Sequence, residues 1–266
     1  VTATDLDLAL ELADIADSLS LRGFGGGVLE TKEKADGSTV SSVDLEIERR
    51  LAAALSERCP GDTILGEEIS RPTGAFRRRW IIDPIDHTAN YVRKIPFFAT
   101  MIALEVAGEI AVGVISAPAL RCRWWASRGG GAFSDGRRAQ VSSIGRLGDA
   151  YLSFAAIHVW QRRALAQNIV DLAGQCRFTY GSGGFWAHMM VAEGRLDASL
   201  DPWGEVWDIA ALKVIVEEAG GRVTDLDDRS RVDGGCAIVT NGHLHETIIS
   251  ALRLASCTSD RAPGEK

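Results

Sequence analysis

The sequence predicts an α+β chain: a largely antiparallel sheet covered by two early helices, then an alternating α/β part. Three observations predict it. Apolar residues recur at helical spacing twice before Pro60, short β-type runs crowd together between Thr63 and Phe133, and helix and strand patterns alternate after Ala150. With 266 residues, 46% hydrophobic and 24% charged, the chain is no disordered or collagen-like polymer. Its length suits one large domain or two modest ones.

In order, Leu6, Ala9, Leu10, Ala13, Ile15 and Leu19 place a helix over 5–22, with Thr4 as N-cap, and Gly23 to Gly27 break it. The polar, turn-rich stretch 31–38 reads as a loop. Ile47, Leu51 and Leu55 place a second helix over 43–58, stopped before Pro60. Strands follow at 63–66, 80–82, 97–106 and 110–116, the last two joined by a hairpin turn at Ala107-Gly108-Glu109. Further strands at 123–126 and 132–133 flank Gly129-Gly130-Gly131. Beyond Ala150, helices are expected at 164–176, 185–193, 207–219 and 244–254, and strands at 196–200, 222–226 and 237–240. Residues 1–150 therefore form an N-terminal α+β part, 151–256 a C-terminal α/β part, and 257–266 a disordered tail.

The net charge of −7 bears on partners. Nucleic-acid binding needs a basic stripe, and the short Arg clusters at 77–79, 137–138 and 162–163 are scattered, so no nucleic-acid partner is expected. No window approaches the ~18 apolar residues of a membrane helix. Acids stand at the N-terminus where a signal peptide needs basic residues. The five cysteines lie far apart with no C-x-x-C, which fits a reducing compartment. A cytoplasmic protein without a membrane partner is the expectation.

Chemistry enters where acids interrupt apolar runs. Trp80-Ile81-Ile82-Asp83-Pro84-Ile85-Asp86-His87-Thr88 sets two carboxylates at the end of a buried strand, where each needs a cation or strong donors. Pro84 is expected to stop both acids from continuing the ladder and to let them turn toward one point. Glu67-Glu68 follow the strand at 63–66, and Asp208 opens a helix. Singly, Asp208 is an ordinary N-terminal helix acid and Glu67-Glu68 an ordinary surface pair. Together, with few His or Cys on offer, they describe a site for a hard cation such as Mg²⁺. A short helix starting at His87 would add N–H groups for phosphate, completing a phosphoryl-transfer site.

Gly66-Glu67-Glu68, the stretch from Trp80 to Thr88, and Trp207-Asp208-Ile209-Ala210-Ala211 resemble the three signatures of the inositol monophosphatase family, in the expected order. The resemblance implies a layered αβαβα sandwich of the inositol monophosphatase and fructose-1,6-bisphosphatase type, a homodimer, and Mg²⁺-dependent phosphomonoesterase activity. By position, it gives Glu67, Asp83 and the Ile85 carbonyl to a first metal, and Asp83, Asp86 and Asp208 to a second. A third ion is placed near Glu67. The His87 and Thr88 N–H groups would hold the phosphate, while Asp44 pairs with Thr88 to orient a metal-activated water. Glu67, Asp44 and Thr88 form the implied catalytic set.

Within the family the chain is most similar to actinobacterial-type histidinol-phosphate phosphatases, through Val112–Leu120, Arg123-Trp124-Trp125-Ala126, Val191-Ala192-Glu193-Gly194, Trp207 to Leu212 and Thr240 to His245. Histidinol phosphate is then the expected substrate. Two positions depart. His87 replaces the Gly of D-P-I-D-G-T, as a substrate contact, a proton donor or a passenger. Gly183-Gly184-Phe185 replaces a pocket-lining Gly-Asp-Phe, leaving Asp201 as the candidate acid for the substrate's amine. The alternatives are an inositol, sugar or nucleoside phosphate in a specialised pathway, or, from another class, a non-catalytic partner of RNA-processing machinery. The intact ligand set and acidic charge speak against the last.

Overall fold

The computed structural model describes residues 3–26, 29–35, 37–72, 74 and 76–254. Helix α1 (Ala3–Gly25) runs through Gly23 rather than ending before it. A Cβ at Gly23 would meet the Tyr91 hydroxyl and lie 2.7 Å from Val43 Cγ2, so the glycine serves a close approach. Where the sequence predicts a loop there is a small hairpin of β1 (Thr31–Glu33) and β2 (Thr39–Ser41). Its turn closes through Gly37 N–H to the Lys34 carbonyl (3.0 Å), with Gly37 at φ +84°. The strands are only three residues each, β1 is exposed throughout, and neither carries a period-2 apolar signal.

Helix α2 (Ser42–Arg58) starts on a capping box in which the Ser41 N–H donates to Asp44 Oδ2 at 2.9 Å. There follow β3 (Thr63–Gly66), β4 (Arg78–Asp86), α3 (Thr88–Val92), β5 (Ala99–Val106), β6 (Glu109–Ala117), β7 (Cys122–Ser127), β8 (Gly131–Ser134) and β9 (Arg137–Arg138). β3 to β9 form one seven-stranded sheet in chain order, antiparallel throughout except for the parallel β3–β4 pair. Ala107 (φ 53°) and Gly108 (φ 84°) make the β5–β6 turn, as their sequence predicts.

The remaining elements are β10 (Tyr151–Phe154), α4 (Ile157–Arg162), α5 (Ala166–Ala173), β11 (Phe178–Tyr180), α6 (Gly184–Ala192), β12 (Ala198–Asp201), α7 (Val206–Glu218), β13 (Arg222–Thr224), β14 (Ala237–Thr240) and α8 (His245–Leu254). The chain divides into two compact units, 1–139 with 206–219, and 140–205 with 220–266. A linear division at 150 puts α7 in the C-terminal part, but its packing puts it in the first unit. The tail expected at 257–266 lies outside the described residues.

In the first unit, Trp80, Ile82, Ile102, Leu104, Val112 and Val114 pack with Leu8, Leu12, Ile47, Leu51 and Leu55 of α1 and α2. α7 packs against β4 to β8, and a Cβ on Gly113 would lie 2.6 Å from the Ala211 carbonyl. Glycine at 113 thus lets α7 approach the sheet backbone.

In the second unit, the sheet order is β11-β10-β12-β14-β13, with β11, β10 and β12 parallel and β14 antiparallel to its neighbours. Leu152, Ala198, Leu200 and Ile238 pack with Trp160 of α4, Ile169 and Leu172 of α5, Leu244 just before α8, and Ile248 of α8. α6 packs against β12 and β14.

Candidate active site

β4 does not stop at Pro84. It pairs Asp83 with Met101 and Asp86 with Ala99, and the register shifts between them. In a regular strand, residues three apart face opposite sides. The irregularity absorbs one residue, accommodates a proline without an N–H, and brings both carboxylates together. Thr100 Oγ1 donates to the Pro84 carbonyl at 2.7 Å. Asp208, in the first turn of α7, joins them: carboxylate oxygens of Asp83, Asp86 and Asp208 lie within 4.8 Å of one another.

Asp83 is 1% exposed, and its Oδ1 has no hydrogen-bond partner among the described residues. Burial, then the charges of Glu67, Asp86 and Asp208, push its carboxyl well above the ordinary range. A buried carboxylate oxygen without a partner, beside two further carboxylates, is costly by itself, and the all-oxygen set fits a hard cation.

Glu67 follows β3, whose Gly66 pairs with Ile82 of β4. Its carboxylate interacts with Asp83 and pairs with Lys34 Nζ at 2.7 Å. Lys34 also reaches Glu68 at 2.5 Å. Burial chiefly raises Glu68 to about 7, against the lowering effect of Lys34. Burial works against the Lys34 ammonium, but the two carboxylates outweigh it and raise its pKa.

The loop itself rests on Glu48 of α2, a fully buried carboxylate accepting the N–H groups of Glu68 (2.7 Å), Ile69 (2.9 Å) and Ser70 (2.7 Å). A Cβ on Gly66 would fall on that carboxylate, which explains the glycine.

Asp44 and Thr88 meet, with Thr88 Oγ1 donating to Asp44 Oδ1 at 2.9 Å. Burial chiefly raises Asp44 to about 6. His87 precedes α3 in the left-handed region at φ +66°, the conformation that favours the family glycine, though His is among the residues that tolerate it. Its Nδ1 lies 3.0 Å from Asn90 Nδ2, whose amide can only donate, so the imidazole proton is assigned to Nε2. Nε2 lies 3.8 Å from Asp86.

Gly183, Gly184 and Asp201 come together in the second unit. Asp201 Oδ2 accepts from the Gly184 N–H at 2.6 Å and from His188 Nε2 at 3.0 Å, while Oδ1 has no partner among the described residues. Gly184 sits at φ +68°, so a side chain there is strained. His188, Glu48, Lys34 and Asn90 were not singled out from sequence. Glu48 had one signal, an acid one helical turn after Asp44 on the buried face of α2.

The chain matches the model of the inositol monophosphatase family over residues 1–256. It is 43% identical over 253 residues to a histidinol-phosphatase of Mycobacterium tuberculosis, covering 93% of this chain and 97% of that one. A Streptomyces coelicolor histidinol-phosphatase is 40% identical over 257 residues, covering 93% and 96%. Among solved structures, a Thermotoga maritima IMPase superposes with a TM-score of 0.84 at 29% identity, covering 95% of this chain and 98% of that one. A family match over residues 1–256 and 43% identity across most of a curated relative settle the family: the chain belongs to the inositol monophosphatase family.

Proposed function

We propose that the chain hydrolyses L-histidinol phosphate, a small polar phosphate monoester, with Mg²⁺ held at the carboxylate cluster. The observation that carries the reaction class is the orphaned Asp83 oxygen among three converging carboxylates. The substrate follows from the likeness to histidinol-phosphatases over nearly the whole chain.

Glu67, Asp83 and the Ile85 carbonyl would hold one ion, and Asp83, Asp86 and Asp208 a second. A third beside Glu67 competes with the Lys34 ammonium that neutralises it. Bound Mg²⁺ supplies charge neutralisation for the phosphate and a lowered pKa for water. The backbone N–H groups of His87 and Thr88 hold the phosphate. Asp44 accepts the Thr88 proton and leaves the hydroxyl oxygen free to accept from the attacking water. Asp201, fixed by His188 and Gly184 N–H, keeps one oxygen for a donor on the substrate. His87 is a substrate contact.

Gly184 in place of an acid favours one second reading, an inositol, sugar or nucleoside phosphate. The reading includes a cytoplasmic homodimer. No described helix is long and apolar enough to cross a membrane, and the exposed Phe178 and Tyr180 on edge strand β11 support an interface. The test compares kcat/KM for histidinol phosphate, inositol 1-phosphate, fructose 1,6-bisphosphate and nucleoside monophosphates. Histidinol phosphate is expected to lead; a higher value for another ester replaces it as the substrate.

A further inference from the structure

One side chain, Arg71, ties the loop that carries Glu67 to the helix that carries Asp208. Its Nη1 donates to the Gly66 carbonyl at 2.5 Å and its Nη2 to the Glu67 carbonyl. The same guanidinium sits over the Trp207 ring, 4.3 Å from the centroid. Trp207 directly precedes Asp208 on α7, and all these residues belong to the first unit. A planar, permanently charged fork can donate along its edge and stack through its face at once. A lysine ammonium lacks both the fork and the face.

The loop's other ties lead elsewhere. Gly66 N–H reaches the Ser70 carbonyl at 2.9 Å, and Glu67 N–H the Ile82 carbonyl of β4 at 3.1 Å. The Glu48 carboxylate holds Glu68, Ile69 and Ser70 from α2. The first contact closes the loop on itself, the others fix it to β4 and α2, and Arg71 adds α7. Its partners on the loop are main-chain carbonyls, so it acts through the backbone that carries Glu67 rather than by neutralising a carboxylate.

We infer that Arg71 is a positioning residue that sets Glu67 against Asp208 and so preorganises the carboxylate cluster for divalent cations. This rests on the metal-site reading above. In that reading Arg71 touches neither substrate nor ion. Partners of this outer kind, when removed, typically weaken metal binding by about 10- to 100-fold.

The test titrates Mg²⁺ calorimetrically into the full chain and into Arg71→Met, Arg71→Lys and Trp207→Phe. Thermal melts in EDTA and Mg²⁺-activation curves for phosphate release run alongside. Arg71→Met is expected to bind Mg²⁺ about 10- to 100-fold more weakly. Its metal-free melting temperature should stay close to wild type, because Arg71 is exposed. Its kcat should recover at high Mg²⁺, while the Mg²⁺ needed rises. Arg71→Lys recovers only part of the affinity, and Trp207→Phe, which keeps an aromatic face, recovers most of it. Wild-type Mg²⁺ affinity in Arg71→Met overturns the inference alone. So does a loss of affinity that only mirrors a lower metal-free melting temperature. A wild type that binds no Mg²⁺ overturns the metal reading and this inference with it.

Discussion

The Thr88 hydroxyl lies 2.9 Å from Asp44 Oδ1 and 2.9 Å from the Ile85 carbonyl, so one proton faces two acceptors. Only an ionised Asp44 draws that proton and keeps the hydroxyl oriented as an acceptor. Asp44→Asn removes the charge but keeps an oxygen for the Ser41 cap. Its kcat is expected to fall about 100-fold or more, the usual yield of a positioned proton acceptor. Its stability should change by about 1 kcal/mol, as for a weakened cap. Steady-state kinetics beside a urea melt separate the two effects.

Asp83 couples metal, protons and stability. Its folded pKa is raised above 3.8, so the metal-free folded state holds a proton that the unfolded state has released. Stability of the metal-free protein therefore falls as pH rises from about 4 through the raised value. Mg²⁺ must displace that proton, so its apparent affinity tightens with pH. In EDTA at pH 8, Asp83→Asn should melt above wild type, by about 2–4 °C for each kcal/mol relieved. The gap should close near pH 4. A variant melting below wild type at pH 8 contradicts this assignment.

Glu48 makes a separable prediction. Glu48→Ala leaves the N–H groups of Glu68, Ile69 and Ser70 without their acceptor, at about 1–3 kcal/mol for each that water does not reach. Glu48→Gln keeps one acceptor oxygen and should lose less. Melting curves should order wild type, Gln, Ala, with turnover following the same order.

His87→Gly tests the departure from the family motif. Glycine takes φ +66° without strain, so stability should shift by no more than about 1 kcal/mol. Mg²⁺-dependent turnover should persist, while KM ratios across the ester panel change. Unchanged ratios would mark His87 as a passenger.

How much of this was legible in the sequence follows from what each residue packs against. The apolar run at Trp80-Ile81-Ile82, broken by Asp83 and Asp86, announced both the strand and its functional end. Asp208 became convincing only beside those acids. That the ladder continues past Pro84 depends on the register with β5, a pairing no local pattern reports. The hairpin at β1–β2 is too short and polar to read, so Lys34 stayed hidden in an apparent loop. Short β10 and β11 also escaped, as did α4. The sequence position of α7 gave no hint that residues 206–219 return to the first sheet; the tight Gly113–Ala211 approach explains why they can.

The most direct test of the account is phosphate release from histidinol phosphate by the wild type and by Asp208→Asn, each with Mg²⁺ and with EDTA. The account predicts turnover by the wild type with Mg²⁺, abolished by EDTA and restored by added Mg²⁺. It predicts a loss of at least about 100-fold in Asp208→Asn, in line with the loss of charge stabilisation at a reacting phosphate. Turnover that survives EDTA, or an Asp208→Asn variant as active as wild type, would contradict the assignment of this cluster as the metal-dependent phosphatase centre.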